Sequence, residues 1–116
     1  MNIENTNAQM RKGVLELCIL SIIQRKEAYA SDILDVLKKH RMIVVEGTLY
    51  PLLTRLKNDG YLEYYWTESR SGPPRKYYKI TLLGEKFLQE LIRNWQELQM
   101  IVSTIMKEDQ TSKNQQ

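Results

Sequence analysis

Two periodicities meet at a glycine between Val45 and Thr81, and together they leave this chain few choices. Leu49, Leu52, Leu53 and Leu56 recur at i, i+3, i+4 and i+7, which places all four side chains on one face of an amphipathic helix. Opposite that face lie Gly47, Pro51, Thr54 and Asn58, flanked by Tyr50 and Lys57 on one side and by Thr48 and Arg55 on the other. These groups are small, uncharged or basic, and they suit the approach of a polyanion. Asp59 and Gly60 then end the helix, because Gly accepts the left-handed conformation usual just past a helix C-terminus. Beyond it the period drops to two. Leu62, Tyr64 and Trp66 alternate with Glu63, Tyr65 and Thr67, and Tyr78 and Ile80 alternate with Tyr77 and Lys79, as in half-buried strands. Arg70, Ser71, Gly72, Pro73 and Pro74 mark the turn between the arms, and Arg75 and Lys76 follow at once, so a hairpin with a rigid basic tip is predicted.

Helix, hairpin and basic tip in this order resemble the recognition helix and wing of a winged helix-turn-helix. The words Gly47-Thr48-Leu49-Tyr50-Pro51-Leu52-Leu53, Arg55-Leu56 and Gly60, followed by Pro74-Arg75-Lys76-Tyr77-Tyr78, Thr81 and Gly84, are similar to the signature of the PadR family of bacterial transcriptional regulators. The similarity is close from about Gly13 to Thr81 and extends in kind to the C-terminal helix. It implies a mainly α fold with a small β-wing, a winged helix-turn-helix plus a long C-terminal dimerisation helix. It also implies a dimeric repressor that holds double-stranded DNA, at an inverted repeat, with its third helix and wing. The residues expected on DNA are Thr48, Tyr50, Thr54, Arg55 and Asn58 of the helix and Arg70, Arg75 and Lys76 of the wing. One departure stands out: Val45 occupies a position where the family often has a capping residue, and Val cannot accept a hydrogen bond from the free helix N–H groups. Glu46 compensates through the helix dipole, and Pro51 inside the helix is tolerable because it points outward.

At 116 residues the chain reads as one domain. Seventeen Lys and Arg against fourteen Asp and Glu leave only +3, so it is the clustering of cations near the hairpin tip, and not net charge, that points to nucleic acid. A lone Cys18 excludes an internal disulfide framework, and the N-terminus lacks the pattern of a signal peptide. The longest apolar run, Val14 to Ile23, contains Glu16 and Ser21 and falls short of the ~20 residues that span a bilayer. A cytoplasmic protein without a membrane segment is expected.

Residues 1–9 are polar and predict a flexible arm, with Thr6 or Asn7 available to cap a helix from about Met10 to Arg25. Val14, Leu15, Leu17, Cys18, Ile19, Leu20, Ile22 and Ile23 spread round nearly all of that helix, which must therefore be covered on more than one side. The C-terminal helix or a subunit mate is the expected cover. Ala30, Ile33, Leu34 and Leu37 predict a second helix ending in the cations Lys38, Lys39 and Arg41, which suit its negative end, and Met42 to Val44 predicts a short third strand. The winged domain then occupies residues 10–81. Over 82–107, Leu88, Leu91, Trp95, Leu98, Val102 and Ile105 follow the three-four spacing of a coiled-coil seam and predict homodimerisation. The polar stretch 108–116 predicts a disordered tail.

One His and one Cys cannot assemble a metal site or a Cys/His nucleophile, and no phosphate-cradling Gly-rich loop is present, so neither an enzyme nor a cofactor is expected. Trp95 has two readings. It is a large knob in the seam, or it is the wall of a cavity between subunits that accepts a planar aromatic effector; some PadR-like proteins resemble the latter arrangement. Two other functions fit the fold: a winged-helix protein-interaction module, and an aromatic-ligand-binding protein without DNA binding. The basic tip argues against both.

Overall fold

The computed structural model describes residues 2–69 and 71–114, with side chains to 108. Its elements are α1 (Ile3–Arg25), β1 (Ala28–Tyr29), α2 (Ala30–Lys39), α3 (Glu46–Asn58), β2 (Leu62–Ser69), β3 (Gly72–Ile80) and α4 (Leu82–Asn114). The strands form an antiparallel sheet in the order β1-β3-β2, and the chain is otherwise mainly helical. This is the winged helix with a long C-terminal helix that the sequence predicts.

The core is built by the leucine and isoleucine faces already evident in the sequence. Leu15, Ile19, Leu20 and Ile23 of α1 meet Ile33 and Leu37 of α2, Leu49, Leu53 and Leu56 of α3, and Leu62 and Tyr78 of the sheet. Each such aliphatic side chain contributes about 1.5–3 kcal/mol on burial. Leu17, Cys18 and Ile22, on a second side of α1, are half-buried, and α4 lies against α1 as the apolar surplus of that helix requires. Leu88 of α4 is 0% exposed and belongs to this core. It is therefore unavailable to a seam between subunits, and Leu91, packed against the same core, is half-withdrawn from one.

Several boundaries differ from expectation. The first helix begins at Ile3, so residues 3–9 are helical instead of a flexible arm; the Asn2 side chain, and not Thr6 or Asn7, caps it by accepting from the Asn5 N–H at 3.2 Å. No breaker lies between Ile3 and Met10, so one cap at Asn2 lets the helix start there. The third strand is Ala28–Tyr29 and not Met42–Val44, paired as Ala28 with Tyr78 and Tyr29 with Tyr77. Two residues are too few to show a period. Gly72, Pro73 and Pro74 lie within β3 and not in the turn; β1 does not reach that far, so one edge of β3 is open there, and neither proline is in a paired register position with β2. A register shift between Thr67 and Ser69 absorbs the extra residue opposite them. Helix α4 continues to Asn114, past the expected end at 107, because the polar residues after Glu108 include no helix breaker.

Both helix ends that lead into functional segments close in the same way. Gly60, at φ +85°, follows α3; its N–H donates to the Lys57 carbonyl at 3.0 Å and that of Tyr61 to the Leu56 carbonyl at 2.9 Å. After α2 the left-handed position is held by Arg41, at φ 63°, and the Met42 N–H reaches the Leu37 carbonyl at 2.8 Å. The wing returns beside Gly60. The Thr81 hydroxyl donates to the Gly60 carbonyl and accepts from the Gly84 N–H at 3.0 Å, capping α4 while tying it to the end of α3. Tyr61 and Phe87 stack across this junction with ring centroids 4.0 Å apart.

Gly84 is required by this close approach. A Cβ placed there would overlap the Tyr61 carbonyl oxygen and stand 2.9 Å from its carbon and 2.7 Å from Ile80 Cγ1. Because backbone cannot yield cheaply, Gly84→Ala is expected to destabilise the fold by about 2 kcal/mol or more, seen as a fall of roughly 10 °C in the circular-dichroism melting temperature.

Candidate nucleic-acid interface

The wing has two faces because strand side chains alternate. On its back, Tyr29, Tyr65 and Tyr77 cluster, with Tyr77 4.7 Å from Tyr29 and 5.3 Å from Tyr65. The Tyr65 hydroxyl donates to Glu27 at 2.7 Å, and the Tyr29 and Thr67 hydroxyls share a bond of 2.7 Å. Arg75 also lies on this side. Its guanidinium sits 3.9 Å above the Tyr29 ring and donates to Ser31 Oγ in the first turn of α2. There the Tyr29 N–H is in turn held by Asp32 at 3.0 Å. These contacts clamp the wing to the β1–α2 junction.

On its front, β2 and β3 present Tyr64, Trp66 and Lys76 beside α3. Lys76 Nζ lies 4.6 Å from the Tyr64 ring centre and 5.5 Å from that of Trp66. Lys57 of α3 reaches the Tyr64 ring at 5.9 Å. Tyr50, Thr54, Lys57 and Asn58 are exposed along α3, so helix and wing share one surface, with Tyr64 at its centre. Alternation assigned Trp66 to the core side; the strand runs past the end of the core, and Trp66 is left exposed.

Among the residues expected on DNA, Tyr50, Thr54, Asn58 and Lys76 lie together on this front surface. Thr48 is half-buried. Arg55 turns to Glu16 of α1 and forms an ion pair with it, and Arg75 faces the back of the wing. Arg70 lies outside the described residues. Lys79 is not at the tip: it pairs with Glu63 at 3.0 Å near the base of the hairpin. Lys57 is the member of the cluster that its flanking position in the helical wheel already signalled.

The bond to the Glu27 carboxylate, aided by burial, pushes Tyr65 up to about 12, and burial raises Tyr78 and Cys18. Among the described residues no group of three His, Cys, Asp or Glu side chains is placed to hold a metal, and no helix is long and apolar enough to cross a membrane.

A winged helix whose third helix and wing share a cationic, aromatic front defines a class of DNA-reading domains. The comparisons agree. Residues 19–90 match the family model described as the transcriptional regulator PadR-like family. A PadR-like transcription factor from Bacteroides fragilis is 60% identical, with a TM-score of 0.74 over 87% of this chain and 98% of the other. A PadR family transcriptional regulator from Eggerthella lenta superposes with a TM-score of 0.84 at 32% identity, over 90% of this chain and 91% of the other. The transcriptional regulator Rv3488 of Mycobacterium tuberculosis is 33% identical over 92 residues, 78% of this chain and 83% of the relative. The chain belongs to the PadR-like family of transcriptional regulators, which are DNA-binding proteins and not enzymes.

The hydroxyl of Tyr65 offers a direct check on the rear clamp. Its raised pKa means that the bond to Glu27 contributes stability in full below pH 10, the ordinary tyrosine value, and that the contribution is lost as pH rises through about 12. Glu27→Gln is expected to return Tyr65 toward 10 in a tyrosinate absorbance titration. An unaltered titration curve would show that the clamp is not closed in solution.

Proposed function

We propose that this protein is a cytoplasmic homodimeric repressor that binds an inverted-repeat operator and is relieved by a planar aromatic effector. The observation that carries the dimer is the outer part of α4. At 33 residues the helix is ~50 Å long, and the long axis of the molecule reaches 67 Å, so α4 outruns the winged domain. There Trp95, Leu98, Ile101, Val102, Ile105 and Met106 are apolar side chains left exposed by the described residues. A second α4 covers them by a seam through Leu91, Trp95, Leu98, Val102 and Ile105. Two-fold symmetry then sets two α3 helices into successive major grooves, about one or two helical turns apart. Tyr50, Thr54 and Asn58 face base edges, with Thr48 at the start of the helix, and Lys76 and the wing meet the backbone. In this reading Arg55 and Arg75 contact phosphates only by leaving the positions from which they brace the domain, and Arg70, which lies outside the described residues, is assigned to phosphate by its place in the sequence alone.

Footprinting on DNA upstream of the chain's own gene tests this reading together with Leu98→Asp. The parent protein is expected to sediment as a dimer and protect an inverted repeat. The variant buries unpaired charges in the seam, a cost of several kcal/mol, roughly 3–5, and is expected to sediment as monomer and lose the footprint. A variant that remained dimeric at micromolar concentration would place the interface elsewhere.

The effector reading rests on Trp95, a single 38%-exposed indole in an otherwise aliphatic stripe. The groove of about 950 Å³ that the chain forms by itself lies between α1 and α2, walled by Leu17, Cys18, Ile22, Val36 and Met42 and not by Trp95. In this reading the pocket at Trp95 is built by both subunits, whose indoles would face each other across the two-fold axis. Planar aromatic compounds are expected to quench the emission of Trp95 with saturation near one ligand per dimer and to weaken operator binding. A varied aromatic panel without effect on either would leave Trp95 as a packing residue.

A further inference from the structure

Trp66 is 60% exposed, a large apolar side chain that neither the core nor the proposed seam uses. Its surroundings are specific. The Tyr64 ring meets the indole edge-on, with centroids 5.8 Å apart and planes at 84°. Lys76, its cross-strand partner, places Nζ 5.5 Å from the indole, and Lys57 of α3 stands over the adjoining Tyr64. Among the described residues neither lysine has a carboxylate partner, in contrast to Arg55 and Lys79, which do. Cation–π contacts hold these ammonium groups beside the rings without neutralising them.

An apolar ring between two uncompensated cations is a poor surface for a second copy of this chain, since self-association would bring like charges together. It complements a polyanion that also offers apolar surface. The backbone of duplex DNA does so, with deoxyribose faces between successive phosphates. We propose that Trp66 is a direct DNA contact of the wing, its indole packed against deoxyribose while Lys76 and Lys57 meet the flanking phosphates. The proposal rests on the DNA-binding reading and adds to it an apolar contact, independent of salt, at a residue that the alternating pattern assigned to the core. Because the indole is mostly exposed, its removal leaves the packing of the domain intact.

The test uses a fluorescein-labelled mixed-sequence duplex of about 30 base pairs and the full chain, titrated over a salt series. Trp66→Ala is expected to bind about tenfold more weakly and Trp66→Phe about threefold, both with the parent's salt slope. Lys76→Ala is expected to flatten that slope by about two phosphate contacts per dimer. DNA should also quench the indole emission of the parent, and this quench should vanish in Trp66→Phe. Parent-like affinity in Trp66→Ala, or a quench that persists in Trp66→Phe, overturns the assignment and leaves DNA binding by the protein standing. If Trp66→Ala loses affinity together with melting temperature and DNA leaves the parent's emission unchanged, Trp66 is structural and the proposal fails. A parent chain that binds no duplex overturns both readings.

Discussion

The Thr81 hydroxyl, donating to Gly60 and accepting from Gly84, is the contact on which the arrangement of this molecule depends. Four segments end or begin within reach of it: the end of α3, the start of β2, the end of β3 and the first turn of α4. The Thr81 N–H donates to the Tyr61 carbonyl at 3.0 Å, and the Glu85 N–H to the Thr81 carbonyl at 2.9 Å, so the backbone groups of Gly60, Tyr61 and Thr81 all have defined partners. Buried backbone without such partners would cost more than the packing recovers. The glycine at 84 lets α4 approach closely enough for Tyr61 and Phe87 to stack.

That junction joins the two ends of the proposed function. Helix α4 carries the apolar stripe, α3 and the wing carry the cationic front, and the two are bonded within one turn of each other. In the proposed dimer, a change in the setting of the two α4 helices would reach α3 as a rigid-body movement, without a long chain of intermediates. An effector acts through this lever only if it binds one setting more tightly than the other, since a ligand with equal affinity for both shifts nothing. Helix α1 reinforces the coupling, lying against α4, against β3 and, through Glu16, against Arg55 of α3.

The wing divides its charges by strand alternation. Arg75 is spent on the back, stacked on Tyr29 and bonded to Ser31, where it stiffens the hairpin; Lys76, one residue on, projects to the front. Guanidinium suits the first task because its plane stacks and donates together, and ammonium suits the second because it is a compact point charge on a flexible stem. Two adjacent cations that look equivalent in a basic run thus do different work.

Much of this was legible in the residues alone. The leucine repeat of α3, the period-two arms of the wing, the Gly60 stop and the a/d stripe of α4 follow from spacing, because a helix or a half-buried strand must keep its apolar side chains on one face whatever surrounds it. The family signature named the fold for the same reason: Gly60 and Gly84 stand where a side chain would strain or collide. What spacing cannot carry is contact between segments distant in the chain. It placed Leu88 in the subunit seam when the domain's own core already claims it, and Trp66 in the core when the strand outruns that core. It gave Arg55 and Arg75 to DNA without knowing that Glu16 and Tyr29 would meet them. It missed β1, since two residues have no period and pair only because Tyr77 and Tyr78 lie alongside. Periodicity is a property of one element and survives in the sequence; burial and charge pairing belong to the sum of elements, and only the tertiary structure decides them.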